Sequence, residues 1–258
     1  MLTFLPYKGL LEFLSERPTA YLNEMQDFLF DEFNVQASID TIRRVLKAAR
    51  WSRKAVSKRA AQQSAPLRNT WQGRQKQWLA DQLIFLDESA ANERTGDRKQ
   101  GWAPIGTNCE VSTPVQRSER WSILPALTLD GYISYMIFQG AFTSELFEDF
   151  VQYHVLPNCT PYPGPRSIII LDNASIHKSA RLQELCEQAG VVLEFLPPYS
   201  PDFNPIEATF KDLKAWIKRN YTLASNFESF NIFLEFAIGQ ACGVHAKAHF
   251  KKAGYVVD

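Results

Sequence analysis

Cysteine is scarce in this chain. Four occur in 258 residues, at 109, 159, 186 and 242, and none falls into a CxxC or Cys/His spacing. That scatter argues against a zinc site and for a reducing compartment. A chain of this length buries a core without disulfide staples. No apolar stretch reaches the roughly 18 residues of a membrane helix. Met1 is followed by neither a basic leader nor a long apolar run, so no signal peptide is expected. Internal repeats and low-complexity segments are absent as well. The most telling absence is local. From Thr41 to Ala80 there is no Asp or Glu, yet eleven of the 28 Lys and Arg residues fall there. The remainder carries 17 basic against 28 acidic residues, so the net charge of zero conceals a segment suited to a polyanion joined to an acidic body.

Three helices are expected ahead of and into that segment. Residues 8–15 form the first, ended by Pro18, and 21–33 the second, with Leu22, Met25, Phe28, Leu29 and Phe33 on one face. Ser38 can cap a third over about 39–50. It would bury Ile39, Ile42 and Leu46 and turn Asp40, Thr41, Arg43, Arg44 and Lys47 outward. Three small helices with a basic third one have the pattern of a helix-turn-helix reader of double-stranded DNA. The expected organisation is a small all-α DNA-binding domain over 1–50, a basic helical linker over 51–80, and a second domain over 81–258. Arg43, Arg44, Lys47, Arg50, Arg53, Lys54, Lys58 and Arg59 are the candidate DNA contacts. Phosphate contacts of this kind make affinity fall steeply with salt.

The second domain alternates apolar runs with helical patterns. Strands are expected at 83–87, 101–104, 108–112, 121–128, 132–140, 167–172 and 191–195, with Asp130-Gly131 turning a hairpin. Helices are expected at 143–155, 178–189, 204–220 and 227–250. This order suggests a mixed sheet covered by helices. Two of the strands end in an acid: LIFLD in Asp87 and SIIILD in Asp172. The third acid of interest, Glu207, stands on the first turn of the helix behind the proline-punctuated stretch LPPYSPDFNP. Each has an ordinary structural use: Asp87 stops a strand, Asp172 caps a helix, and Glu207 suits the helix dipole. Together, acids from distant segments can converge as oxygen ligands for Mg²⁺ or Mn²⁺. Two such ions about 4 Å apart are a device for cutting phosphodiesters.

The words FLDES (85–89), ILDNASIH (170–177) and LPPYSPDFNPIE (196–207), with 34 residues between Asp172 and Glu207, resemble the DDE transposases of the mariner superfamily. The resemblance covers roughly 83–220, and the N-terminal helices resemble the second half of that family's DNA-binding region. It implies an RNase H-like fold, a mixed five-stranded sheet flanked by helices, behind the small all-α domain. It implies hydrolysis at a DNA end followed by attack of the freed 3′-OH on target DNA. Asp87, Asp172 and Glu207 would be both catalytic and metal-binding, for two ions. A homodimer pairing two ends is implied too, acting in the nucleus of a eukaryotic host and otherwise in the cytoplasm or nucleoid.

The neighbours of the triad have expected supporting roles. Asn173 orients Asp172 or meets phosphate. His177 touches DNA or packs as a structural histidine. Asn204, with Pro205, fixes the helix start so that Glu207 points inward. Strand alternation sends Glu88 to the opposite face. Arg94, Arg98 and Lys99 meet DNA backbone or sit in a solvated hairpin. Where the family carries two helix-turn-helix units, this chain has room for one. A DNA-binding protein without transposition activity, truncated or in host use, is therefore the alternative. A ribonuclease acting on RNA–DNA hybrids would use similar carboxylates, but the N-terminal reader and the proline-rich word count against it.

Overall fold

Apolar residues recur every three or four positions through the first fifty residues, and three helices follow from them: α1 (Phe4–Glu16), α2 (Leu22–Phe33) and α3 (Ile39–Ala48). The computed structural model describes residues 3–56, 62–111, 119–174, 177–241 and 243–257. The chain divides into two units, Met1–Arg59 and Ala60–Asp258. In the first unit α1 begins earlier than the expected residue 8 and takes in Pro6, which is tolerated there because first-turn amides have no helical partner. Leu10, Leu14, Met25, Leu29 and Ile42 form its core, and Phe13 stacks on Phe28 with ring centroids 4.3 Å apart. Ser38 Oγ accepts from the Thr41 amide at 3.2 Å, capping α3. Ile39 was expected inside. At the first position of α3 it is 36% exposed, whereas Ile42, one turn on, is fully buried. The outer face of α3 carries Arg43, Arg44 and Lys47, with Arg43 bonded to Asp40 at 2.9 Å. Arg50, Arg53 and Lys54 are exposed behind it, while Lys58 and Arg59 lie outside the described residues.

The second unit is built on a sheet whose central strands bury both faces. β1 (Leu83–Leu86) and β5 (Ile168–Leu171) are fully buried and run parallel, and β6 (Val192–Phe195) runs parallel to β5. On the other side of β1 lies antiparallel β3 (Trp121–Thr128), joined through Gly131 at φ +113 to β4 (Gly131–Gln139). The sheet is mixed and flanked by helices, as expected, but among the described residues it has six strands rather than five. The sixth, β2 (Ser89–Ala91), continues β1 along the same edge of β3 in an unchanged register, from Phe85–Leu127 to Ala91–Trp121. The ladder lapses at Asp87 and Glu88, which stand opposite Pro125 and Leu124. Pro125 has no amide hydrogen to give to a partner.

Alternation along the strands sorts the core into two layers. Leu83, Phe85, Ile168 and Ile170 face α7 (Ile206–Asn220) and α9 (Ala246–Lys252), through Ile206, Phe210 and Phe250. Ile84, Leu86, Ile169 and Leu171 face α5 (Ser144–Phe150) and α6 (Ala180–Gln188), through Phe147, Phe150 and Leu182. A third cluster joins α7 to α8 (Phe230–Ala241) through Leu213, Ile217, Phe233 and Leu234.

Several expected elements differ. No strand forms over 101–111 among the described residues. Trp102 and Ile105 are fully exposed there, so no apolar face is buried to hold one. The helix expected over 143–155 is α5 continued by one π-helical turn, Val151–Val155. The helix expected over 227–250 is two, α8 and α9. Between them Gly243, at φ +95, passes so close to Gly131 that a side chain on it would meet the Gly131 Cα at 3.3 Å. Residues 60–80, read above as the latter part of a linker, belong to this unit. They include α4 (Ala65–Gln75), whose Trp71 is buried in the α7-side core.

Phe85 packs edge-on to Phe250 and Tyr255, at 5.3 and 5.2 Å, and is fully buried two residues before Asp87. Phe85→Ala should cost about 3–5 kcal/mol of unfolding free energy in urea titrations. A loss under about 1 kcal/mol would mean that the ring is no part of the core.

Candidate active site

The strand alternation that sorts the core also places the acids. Residues 83, 85 and 87 share a parity, as do 168, 170 and 172, so Asp87 and Asp172 leave adjacent parallel strands on the side of the sheet that α7 covers. Glu207 comes to the same place from the first turn of α7. Asn204 joins the two components. Its Nδ2 donates to Asp87 Oδ2 at 2.8 Å, and its Oδ1 accepts from the Ile206 amide at 3.3 Å. One buried side-chain amide thus ties a strand end to the start of the helix that bears Glu207. The expected helix-fixing role of Asn204 is visible, and its bond to Asp87 is additional. The other Asp87 oxygen accepts from the Glu88 amide at 2.8 Å.

Asp172 is held by its own loop: Oδ1 accepts from the Ala174 amide at 2.9 Å. Asn173, expected to orient Asp172 or to meet phosphate, lines a groove beside α6 with Ser179, Gln183 and Phe195. His177 is 1% exposed and packs on Phe147, with ring centroids 4.4 Å apart. Its Nε2 lies 3.3 Å from Asp172 Oδ1 and 3.5 Å from Glu88 Oε2. Neither ring nitrogen has a hydrogen-bond partner among the described residues. Sequence reasoning set Glu88 aside. Its parity does match the α5 side, but His177 links it to Asp172 there. The signal was available in FLDES as a second acid beside the first.

The electrostatics confirm that the acids are neighbours. The Asp87 carboxyl is pushed up from 3.8 to about 8, first by burial and then by the charges of Glu207, Asp172 and Glu88. Only the Glu88 amide acts in the opposite sense, and no Lys or Arg is among the causes. The site is a set of hard oxygen donors whose mutual repulsion a divalent cation would relieve, which fits Mg²⁺ or Mn²⁺. Among the described residues no three acid, imidazole or thiol groups close around one ion-sized point, so the carboxylates share a neighbourhood and not a finished coordination sphere.

One of the basic residues of the 93–102 segment is committed to the fold at the far end of α7. Arg98, considered above for DNA backbone, donates to the carbonyls of Lys218 and Arg219 at 3.3 and 3.1 Å. It caps the C-terminal end of α7, where a cation suits the helix dipole.

The sequence model of the DDE superfamily endonuclease family matches residues 82–230. No curated protein matches the sequence. Among solved structures, the Mos1 transposase paired-end complex with left transposon end aligns with a TM-score of 0.70 at 15% identity, over 96% of this chain and 74% of that one. The mariner Mos1 paired end complex with Mg aligns with a TM-score of 0.67 at 14% identity, over 98% and 76%. The Mos1 transposase catalytic domain with Raltegravir and Mg gives 0.51 at 14% identity, over 76% and 90%. At these identities the likeness is one of fold, and the fold is RNase H-like.

The electrostatics of Asp87 predict a pH signature in the metal-free protein. The unfolded chain loses this proton near 3.8, whereas the folded one keeps it to about 8. Between those values the folded state binds the extra proton, so stability falls as pH rises through the window. Asp87→Asn carries no such proton. Its melting temperature relative to the parent, measured in chelator, should climb from pH 3.8 to about 8 and level off above. A difference that stays flat across the window would show that Asp87 is not crowded by its neighbours.

Proposed function

Since this chain belongs to the DDE superfamily of endonucleases, we propose that it is a transposase. It cuts double-stranded DNA at the ends of a mobile element and joins them to target DNA, with Asp87, Asp172 and Glu207 holding two divalent metal ions. The observation that carries this reading is the gathering of acids from separate segments at Asp87, where burial first, and then the charges of Glu207, Asp172 and Glu88, push the carboxyl up to about 8. Clusters of titrating groups so perturbed mark functional sites. The Mos1 structures with transposon ends and with Mg or Mn support the choice of substrate and ion, and their paired ends support a homodimer.

Water opens one phosphodiester and leaves a 3′-OH. That hydroxyl then attacks a target phosphodiester, exchanging one P–O bond for another without a covalent enzyme intermediate. Bound metal supplies activation of the attacking oxygen and stabilisation of the leaving one. The protein's residues hold and aim. Asn204 fixes Asp87 and the start of α7 together. The Ala174 amide and His177 flank Asp172. Arg43, Arg44, Lys47, Arg50, Arg53, Lys54, Lys58 and Arg59 meet DNA phosphates, and the work is done where the DNA lies, in the nucleus or nucleoid. The reading as a DNA-binding protein without cutting activity has nothing in the site to favour it, since the sequence keeps all three acids.

Asp172→Asn should abolish Mg²⁺- or Mn²⁺-dependent nicking of duplex DNA and leave DNA affinity unchanged. Cutting at the parental rate would sink the assignment. Binding should also weaken steeply with salt, with a log–log slope of about −0.9 per phosphate neutralised. Removing Arg43 and Arg44 together should flatten that slope by about two contacts.

A further inference from the structure

The loop that leads into α7 bonds to itself through one short 3₁₀ turn, Pro201–Phe203, in which the Phe203 and Asn204 amides donate to the Ser200 and Pro201 carbonyls at 3.1 Å. Pro197, Pro198, Pro201 and Pro205 have no amide hydrogen to bond, and Tyr199 is held at φ +55, a region that disfavours side chains. Further support comes from α4 and the segment just before it, distant in the sequence. The Arg68 guanidinium donates a two-pronged pair of bonds to Asp202, Nη1 to Oδ1 at 2.8 Å and Nη2 to Oδ2 at 2.6 Å. The same group lies 4.2 Å from the centre of the Phe203 ring. Five residues earlier, Gln63 Nε2 donates to the Tyr199 carbonyl at 2.9 Å. From the C-terminal side, Tyr255 donates to the Phe203 carbonyl at 3.0 Å. Asn204, the bridge to Asp87, is the next residue along.

Helix α4 itself is anchored. Trp71, one turn past Arg68, is buried, and Gln75 donates to the Ala253 carbonyl at 3.1 Å. Arg74 is paired with Glu194 at 2.8 Å. Arg68 is therefore a fixed strut, with a side chain only 20% exposed. Its planar fork matches a carboxylate in a way that a lysine cannot. Read from the sequence, Arg68 is one more cation in a run suited to phosphate. In the fold it is spent on the loop.

We propose that Arg68 is a positioning residue for DNA cutting: by gripping Asp202 and Phe203 it keeps Asn204 and the first turn of α7 beside Asp87, so that Glu207 reaches the metal site. The inference rests on the metal-dependent cutting proposed above. A small displacement of a group that aims a ligand costs catalysis far more than binding. The test compares Arg68→Ala, Arg68→Lys and the exchange Arg68→Asp/Asp202→Arg in the full chain. Single-turnover nicking is measured with Mn²⁺ at saturating DNA, and duplex affinity is measured without metal.

Arg68→Ala should lower the nicking rate about 100-fold. Its DNA dissociation constant should stay within about threefold of the parent's. Arg68→Lys, which keeps the charge but not the fork, should fall between, and it serves as the readout should the alanine variant fold poorly. The exchange should recover about tenfold of the loss. An unchanged nicking rate in Arg68→Ala overturns the proposal. So does an unchanged rate with weakened affinity, which would make Arg68 a phosphate contact. A second readout needs no cutting: hydrogen exchange of the Asn204, Glu207 and Ala208 amides in metal-free protein should quicken about tenfold in Arg68→Ala. A parent that cuts no DNA would fail the functional reading, while unchanged exchange in the variant would separately fail the positioning.

Discussion

Carboxylates gathered in one place repel one another, and the catalytic unit has to fold against that repulsion. Asp87 feels Glu207, Asp172 and Glu88 at once, in surroundings that already disfavour charge. What opposes the repulsion is the apolar sheet beneath. β1 and β5 are buried along their whole length and on both faces, so their ends cannot drift apart without opening two core layers. The acids are delivered by rigid strands and not by flexible loops. Only Glu207 arrives on a separate element, and that element is fastened at both ends, by Asn204 at its start and Arg98 at its finish.

The same logic explains where the positive charge went. The acid-free run divides between two kinds of work. In the first unit Arg44 and Lys47 stand exposed on α3, available to a polyanion. In the second, Arg68 and Arg74 are paired with Asp202 and Glu194, and serve the fold. Composition alone treats these residues as equivalent. Their partners, more than a hundred residues away, separate them.

Much of the site could be read before the fold was seen. The β-branched run SIIILD and the apolar LIFLD announce buried strands, and the parity of their residues puts both aspartates on one face. Ser38 marks a helix start by its side-chain chemistry alone, and accepts the expected amide bond. What escaped sequence reading depends on partners distant in the chain. β2 was missed because it is three residues long and separated from β1 by a lapse that Pro125, on another strand, imposes. The segment over 101–111 has strand-like composition but no surface to lie against. The break between α8 and α9 comes from the close passage of Gly243 by Gly131. The contact of His177 with Glu88 joins opposite ends of two segments, and no local pattern records it.

Pro125 shows how a disruption can be made useful. A proline in the middle of a sheet is ordinarily a fault, since it removes a rung from the ladder. Here the missing rung falls beside Asp87. The pairing with β3 lapses for two residues, and beside the lapse the Glu88 amide bonds the carboxylate next to it. The chain then rejoins β3 in the same register, as if nothing had been interrupted. The sheet thus opens a small window in its own fabric at the one place where an acid must be free to choose its partners. A continuous strand would leave the acid in place and take the window away.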